Sequence, residues 1–349
     1  MADPDRRGVN VGLAGLLAVA SCAPLRRGPQ VQVNLAQAAP TPRVPPTGDN
    51  ANLVTGDDSF DRLTAPVRIN GEGPFSFVID TGANRTVVSE ELAAALSLPD
   101  AGTTLVHGIA GAEPHRTVMV RSLEADAVRS SSIRAPTLPR ARLGVDGLLG
   151  VDVLRGRLVT LDFLNHRLRI GPGLRPDDTR TPFDLREEGV GRHDDGLGAP
   201  IIVPAQYRFG QLIIVDSEVR GRGVKAFLDS GSQSTVANMM LNRLVLNSPD
   251  PHAPVASRLI TSVLSATGQT AEGAVGDLPP LRIGGLTING MRVVYADLHV
   301  FELWRLLNQP AILIGIDVMR RFAALQLDFA GRQVLFYPNG ALPIFRERP

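Results

Sequence analysis

Apolar residues along this chain fall in short runs rich in Val, Ile and Phe, cut by glycine- and proline-containing turns. That pattern predicts strands rather than helices. Residues Ala65 to Asn70 and Phe75 to Ile79 flank Gly71-Glu72-Gly73-Pro74 and predict a hairpin with its turn over those four residues. Thr86-Val87-Val88 predicts another strand. Ser89 then caps a short helix running to about Leu98, with Glu90 and Glu91 in the first turn and Pro99 beyond. Further on, Thr235 to Ala237, a cap at Asn238 and a helix from Met239 to about Leu246 repeat the plan. Leu161 to Phe163 with Leu168 to Ile170, and Leu325 to Leu327 with Val334 to Tyr337, predict two closing hairpins. The expected fold class is all-β, mainly antiparallel with few short helices, in two lobes.

The repetition is specific. Asp80-Thr81-Gly82 follows the apolar run Phe75 to Ile79, and Asp229-Ser230-Gly231 follows Ala226-Phe227-Leu228. Downstream of each comes an aliphatic pair and a glycine, Leu148-Leu149-Gly150 and Leu313-Ile314-Gly315, each followed by an aspartate two residues later, Asp152 and Asp317. Self-similarity at this spacing, with landmarks in fixed order, indicates two paired domains; solenoid repeats are far shorter.

Two carboxylates on equivalent turns of a duplicated domain, brought face to face, are equipped to activate water against a peptide bond. One ionised carboxylate takes a proton from water while a protonated partner polarises the carbonyl. At contact distance the two share one proton and titrate as a pair. Glycine after each Asp-(Thr/Ser) step permits close approach. The hydroxyls of Thr81 and Ser230 are placed to bond across to the opposite lobe.

At these motifs the chain resembles the aspartic proteases, specifically the bacterial retropepsin-like group, in a two-lobed, pepsin-style arrangement spanning about Thr64 to Phe336. The resemblance implies catalytic roles for Asp80 and Asp229, with support from Thr81, Gly82, Ala83, Ser230, Gly231 and Ser232. It implies that Leu148-Leu149-Gly150 and Leu313-Ile314-Gly315 thread behind the two turns. It also implies a glycine-rich flap, matched by His107, Gly108, Ile109, Ala110 and Gly111 after Val106, with a second-lobe echo at Ala266-Thr267-Gly268. The first glycine is followed by Ala83 and the second by Ser232. A serine hydroxyl donating to its neighbouring carboxylate favours ionisation, so Asp229 is expected to be the more acidic member of the pair. Asp152 and Asp317 are expected to cap helices, Trp304 to pack in a core, and His107 to be a solvated loop residue.

The N-terminus carries an address. Arg6-Arg7 precede an apolar stretch from Val9 to Ala20, which ends in Val19-Ala20-Ser21-Cys22, and Cys22 is the only cysteine. That stretch has the size of a signal-peptide core, and the cysteine resembles the lipobox of bacterial lipoproteins, which implies lipidation at Cys22. The expected organisation is a signal peptide over 1–22, a Pro/Ala-rich tether over 23–50, lobes over 51–172 and 198–349, and a linker over 173–197.

At 349 residues, 44% hydrophobic and with a net charge of +1, the chain can fill two cores and carries no charge signature for nucleic acid. Its six histidines lack metal-ligand spacing, and no cofactor or metal is expected. The expected protein is a monomeric aspartic endopeptidase acting on proteins of the cell envelope, lipid-anchored and periplasm-facing. The alternative is a catalytically silent envelope lipoprotein that binds peptides in the same cleft.

Overall fold

The computed structural model describes residues 31–34, 53–54, 62–125, 128–173, 200–208, 211–214, 217–247, 259–339 and 345–346. The signal-like segment, Cys22, all of 174–199 and most of 23–50 lie outside the described residues. Within the last of these stretches, Val31–Asn34 runs as a strand parallel to Leu286–Asn289.

The architecture is all-β with a few short helices. In the first lobe, strands Thr64–Ile69, Glu72–Ile79, Gly147–Leu149, Val87–Ser89, Val128–Leu138 and Ala112–Ala125 follow one another around a barrel. The barrel closes where Ala112–Ala125 pairs back onto Thr64–Ile69, Ile69 opposite Leu123. Closure leaves no open edge among these six strands. Strand Asp100–His107 extends from Ala112–Ala125 as a long hairpin. Inward-facing Val67, Ile69, Phe77, Ile79, Val88, Val118 and Val120 fill the interior and are at most 1% exposed.

The first hairpin turns earlier than its sequence suggested. Asn70 and Gly71 both take positive φ, 53° and 86°, and Ile69 pairs with Glu72, so two residues make the turn. Asn-Gly suits a two-residue hairpin turn with both φ values positive. The register then shifts between Ile69 and Val67, and Gly73-Pro74 is absorbed as an irregularity within the strand. The first helix is also shorter than expected, Glu90–Ala95, because Ser97 enters the left-handed region at φ 47°. Its cap is as anticipated: the Leu92 amide donates to Ser89 Oγ at 3.1 Å. Met239–Leu246 matches its expectation, with the Leu241 amide donating to Asn238 Oδ1 at 3.0 Å.

The second lobe repeats the strand pattern around its Asp motif without closing the same ring. Its strands belong to a six-stranded sheet and to part of a thirteen-stranded one. The two expected closing hairpins are neighbours in that larger sheet. Arg157–Asp162 pairs with Arg167–Pro172 on one side and with Phe322–Asp328 on the other, Thr160 opposite Gln326. Val159, Leu161, Leu168, Ile170, Leu325, Leu327, Val334 and Phe336 alternate inward along these strands and are buried. Continuous backbone pairing therefore ties the lobes together beneath the site.

Candidate active site

Each Asp-(Thr/Ser)-Gly loop is assembled in the same way. Strand Glu72–Ile79 delivers Asp80 and lies parallel to Gly147–Leu149, Val78 beside Leu148. Strand Lys225–Leu228 delivers Asp229 and lies parallel to Ala311–Ile314, Phe227 beside Leu313. The Asp80 amide donates to the Leu149 carbonyl at 3.0 Å, and the Asp229 amide to the Ile314 carbonyl at 3.0 Å. Gly150 and Gly315 pass directly behind these loops: a Cβ on Gly150 would stand 2.4 Å from the Arg85 carbonyl carbon, and one on Gly315 2.7 Å from that of Ser234. Glycine is required there because backbone meets backbone.

Asp152 and Asp317 brace the same loops. The Thr86 amide and hydroxyl donate to Asp152 at 2.9 and 2.8 Å, and those of Thr235 donate to Asp317 at 3.0 and 2.7 Å. The caps of the helices Val151–Leu154 and Ile316–Met319 are Gly150 and Gly315, so each carboxylate sits inside the first turn. The expected capping role is thus replaced by a tie to the loop that follows each Asp motif.

The loops meet across the lobe boundary. Thr81 Oγ1 donates to the Leu228 carbonyl at 2.8 Å and accepts from the Ser230 amide at 3.0 Å. Ser230 Oγ donates to the Ile79 carbonyl at 2.7 Å and accepts from the Thr81 amide at 3.2 Å. Thr81 and Ser230 are both buried, so this reciprocal grip fixes each loop to the other lobe. Gly82 lies against the opposite carboxyl, where a Cβ would fall 2.4 Å from Asp229 Cγ; on Gly231 it would fall 2.5 Å from Asp80 Cγ.

The two carboxyls face one another, each packed against the glycine of the other's loop, and act on each other's ionisation. Asp80 Oδ1 accepts from the amides of Gly82 and Ala83, both at 2.9 Å, and Asp229 Oδ1 accepts from Gly231 at 3.0 Å. Burial disfavours charge on both and raises both. The nearby Arg62 guanidinium and the Ala83 and Gly82 amides pull Asp80 back down. Burial and then the Asp80 charge push Asp229 up to about 8. The Asp80 charge thus opposes ionisation of Asp229, and the hydroxyl expected to favour that ionisation is turned elsewhere. Ser232 Oγ donates to the Ser234 carbonyl at 2.9 Å, away from the carboxylate, whereas Arg62, only 7% exposed, acts on Asp80.

The candidate flap residues form a hairpin tip that spans to the other lobe. Gly108 N donates to the Gly111 carbonyl at 2.7 Å between strands Asp100–His107 and Ala112–Ala125. Ile109 packs against the second-lobe cluster containing Phe227, Phe301, Trp304 and Leu313. Its carbonyl accepts from the Val300 amide at 3.4 Å. The second-lobe echo reaches back: Ala266 packs against Val78, Val87, Leu138, Leu143, Val145 and Leu148. Between the tips, a Cβ on Gly108 would collide with Ser265 and Thr267, and Arg142 donates to the Thr267 carbonyl at 2.7 Å. His107 is exposed but partnered, with Nδ1 3.0 Å from His299 Nε2 and the rings stacked. Trp304 is buried and stacks on Phe227 at 4.4 Å, as a core residue.

A family model described as aspartyl protease matches residues 65–153 and 215–318, together more than half of the chain. The chain belongs to the aspartyl protease family. Each matched segment contains one Asp motif and its aliphatic-Gly partner, so the aspartyl protease frame recurs in both lobes. No individual curated protein matches the chain.

Sequence reasoning missed Arg62 and the lobe-crossing contacts of Arg142. Both look like ordinary surface arginines in one dimension. The one legible hint for Arg62 was its place immediately ahead of a strand that pairs with the Asp80 strand. Among the described residues no cluster of three or more His, Cys, Asp or Glu is placed to hold a metal ion.

Proposed function

We propose that this aspartyl protease is an endopeptidase in which Asp80 and Asp229 jointly activate a water molecule against a peptide bond. The observation that carries this reading is the facing carboxyl pair, one from each lobe, held by matched loops and a reciprocal Thr81–Ser230 grip. The Asp80 carboxylate takes one proton from water as the water oxygen bonds to the carbonyl carbon. The carbonyl π pair moves onto its oxygen, which receives the Asp229 proton. In the second step Asp80 returns its proton to the amide nitrogen, the C–N bond breaks, and Asp229 regains a proton from the collapsing diol. Acid and amine are released with the dyad restored.

Both aspartates come from one chain, which supports a monomeric enzyme. The hairpin tips over 106–111 and 265–269 would cover an extended peptide bound between the lobes. The lipobox-like Val19-Ala20-Ser21-Cys22 supports lipidation at Cys22, anchorage to a membrane and substrates among periplasm-facing envelope proteins. The test is cleavage of an unfolded protein by the full chain, compared with Asp80→Asn and Asp229→Asn. Each variant is expected to lose about 1,000-fold or more in kcat/KM. Retained cleavage by either variant excludes the dyad. A folded but inactive wild type that still binds peptides favours the silent binding protein.

A further inference from the structure

Each hairpin tip grips the opposite lobe, and the two grips differ in chemistry. The second-lobe tip is held by an arginine: Arg142 Nη1 donates to the Thr267 carbonyl at 2.7 Å and stands 3.8 Å from Glu113 Oε2. The first-lobe tip is held by a histidine pair. His107 ends strand Asp100–His107, His299 begins helix His299–Leu303, and Nδ1 of the first lies 3.0 Å from Nε2 of the second. Toward the same helix this tip also makes one long amide contact, Val300 to the Ile109 carbonyl at 3.4 Å. The half-buried Ile109 side chain rests against the cluster that contains Phe227, Phe301 and Trp304.

A nitrogen–nitrogen contact of 3.0 Å holds one proton, with one ring donating and the other accepting. Glu302 Oε2 lies 3.7 Å from His299 Nδ1, so a neutral His299 carries its proton on Nδ1 and accepts from His107 through Nε2. One added proton leaves the bond in place, because a cationic ring donates to a neutral one. A second added proton sets two N–H groups face to face without an acceptor and brings two like charges into contact. The exposed Glu302 stands on the His299 side of the pair. Other charged groups on the elements that meet here are committed elsewhere. Glu113, opposite Val106 in the first hairpin, has His115 at 3.7 Å and Arg142 at 3.8 Å, and Asp297, ahead of the helix, accepts from the Met239 amide at 2.9 Å. Arg142 keeps its proton at any such pH, so its grip on the second tip does not change.

We propose that His107 and His299 form a proton-operated latch, which holds the first-lobe tip against the second lobe while the two rings share a proton and releases it when both rings are protonated. Losing the hydrogen bond and gaining a like-charge contact moves the closed-to-open ratio toward open by roughly tenfold. Against that change stand the single 3.4 Å amide contact and one half-buried isoleucine. The latch's role as a gate to bound peptide rests on the endopeptidase reading above; release of the tip does not.

Trp304 supplies the readout. It is the only tryptophan in the chain, 4% exposed, and belongs to the cluster that Ile109 packs against, so its fluorescence reports on the first tip without any cleavage. Acrylamide quenching of the full chain is measured from about pH 7.5 down to about 5, with circular dichroism confirming the fold at each step. The wild-type quenching constant is expected to rise about twofold or more over that range, reversibly, as the tip leaves the cluster. His107→Gln and His299→Gln each keep a hydrogen-bonding side chain but take up no proton, and both are expected to stay flat. His107 is exposed and the His299 side chain is 25% exposed, so neither change opens a core, and either variant alone decides the matter if the other fails to fold. No rise in the wild type, or a rise of the same size in the glutamine variants, overturns the latch. A wild type that shows the rise and cleaves nothing leaves the latch standing and defeats the endopeptidase reading; cleavage without the rise does the reverse.

Discussion

The two lobes present the same hydrogen-bonded frame to the site and different electrostatics within it. Asp80 and Asp229 are anchored through amides to Leu149 and Ile314 at the same distance, and Asp152 and Asp317 brace Thr86 and Thr235 alike. Around that frame, each carboxyl draws on two amides of its own loop, Gly82 and Ala83 for Asp80 and Gly231 and Ser232 for Asp229, but the Arg62 charge acts on Asp80 while the Asp80 charge acts against Asp229. Positioning two carboxyls demands symmetry, because each must reach the same water. Dividing labour between base and acid demands that the symmetry be broken. The chain satisfies both by duplicating backbone geometry and varying side chains around it.

The largest expected effect tests the symmetric part. Gly82→Ala would place a methyl 2.4 Å from Asp229 Cγ, and Gly231→Ala one 2.5 Å from Asp80 Cγ. Neither carboxyl can move without leaving its partner. Both variants are expected to lose at least about 100-fold in kcat/KM, since misplacing a reacting group by about 1 Å costs on that order. Equal losses would sharpen the equivalence of the loops. A loss in one variant alone would break it.

A smaller effect tests the asymmetric part. Asp229 titrates at about 8 in the folded protein against 3.8 for an ordinary aspartate, chiefly through burial. The folded state therefore binds a proton that the unfolded chain releases. Its stabilising contribution is fully present below about pH 4 and is lost as pH rises through about 8. Asparagine mimics the protonated form and has nothing to lose. Asp229→Asn is expected to melt several degrees above wild type at pH 8.5, with the gap shrinking toward pH 4. Melting curves across that range check this. A gap that is constant with pH, or of opposite sign, would show that Asp229 does not hold the proton.

How much of this was legible in one dimension follows from the kind of interaction involved. The duplication, the two-lobed β fold and both Asp loops were readable because short-range backbone needs leave residue types behind. A close approach demands Gly82 and Gly231, and a helix start demands Ser89 and Asn238. The Asn70-Gly71 turn left such a mark as well, yet Gly73-Pro74 three residues on offered a competing turn signal. What stayed hidden depends on contacts between distant segments. Arg62 and Leu143 are 81 residues apart, and His107 and His299 are 192 apart. Nothing local in Asp61-Arg62-Leu63 announces a buried guanidinium. Ser232 misled for a related reason. Its type fits a donor to Asp229, but its rotamer is decided by the Ser234 carbonyl.

That last point yields the smallest expected effect. Ala83 and Ser232 occupy the same place in the two loops, and their amides serve the frame equally: Ala83 donates to the Asp80 carbonyl at 3.3 Å and Ser232 to that of Asp229 at 3.2 Å. Only the side chains differ. With Ser232 Oγ committed to the Ser234 carbonyl, the hydroxyl contributes nothing to the charge on Asp229. Ser232→Ala should leave both limbs of the kcat/KM profile in place and cost about 1 kcal/mol or less in stability, the usual net worth of one hydrogen bond at an exposed site. An upward move of the acid limb would mean that the hydroxyl turns to Asp229 during turnover. The asymmetry of the pair would then have a contribution from each lobe. An unmoved limb places the source of that asymmetry outside the Ser232 side chain.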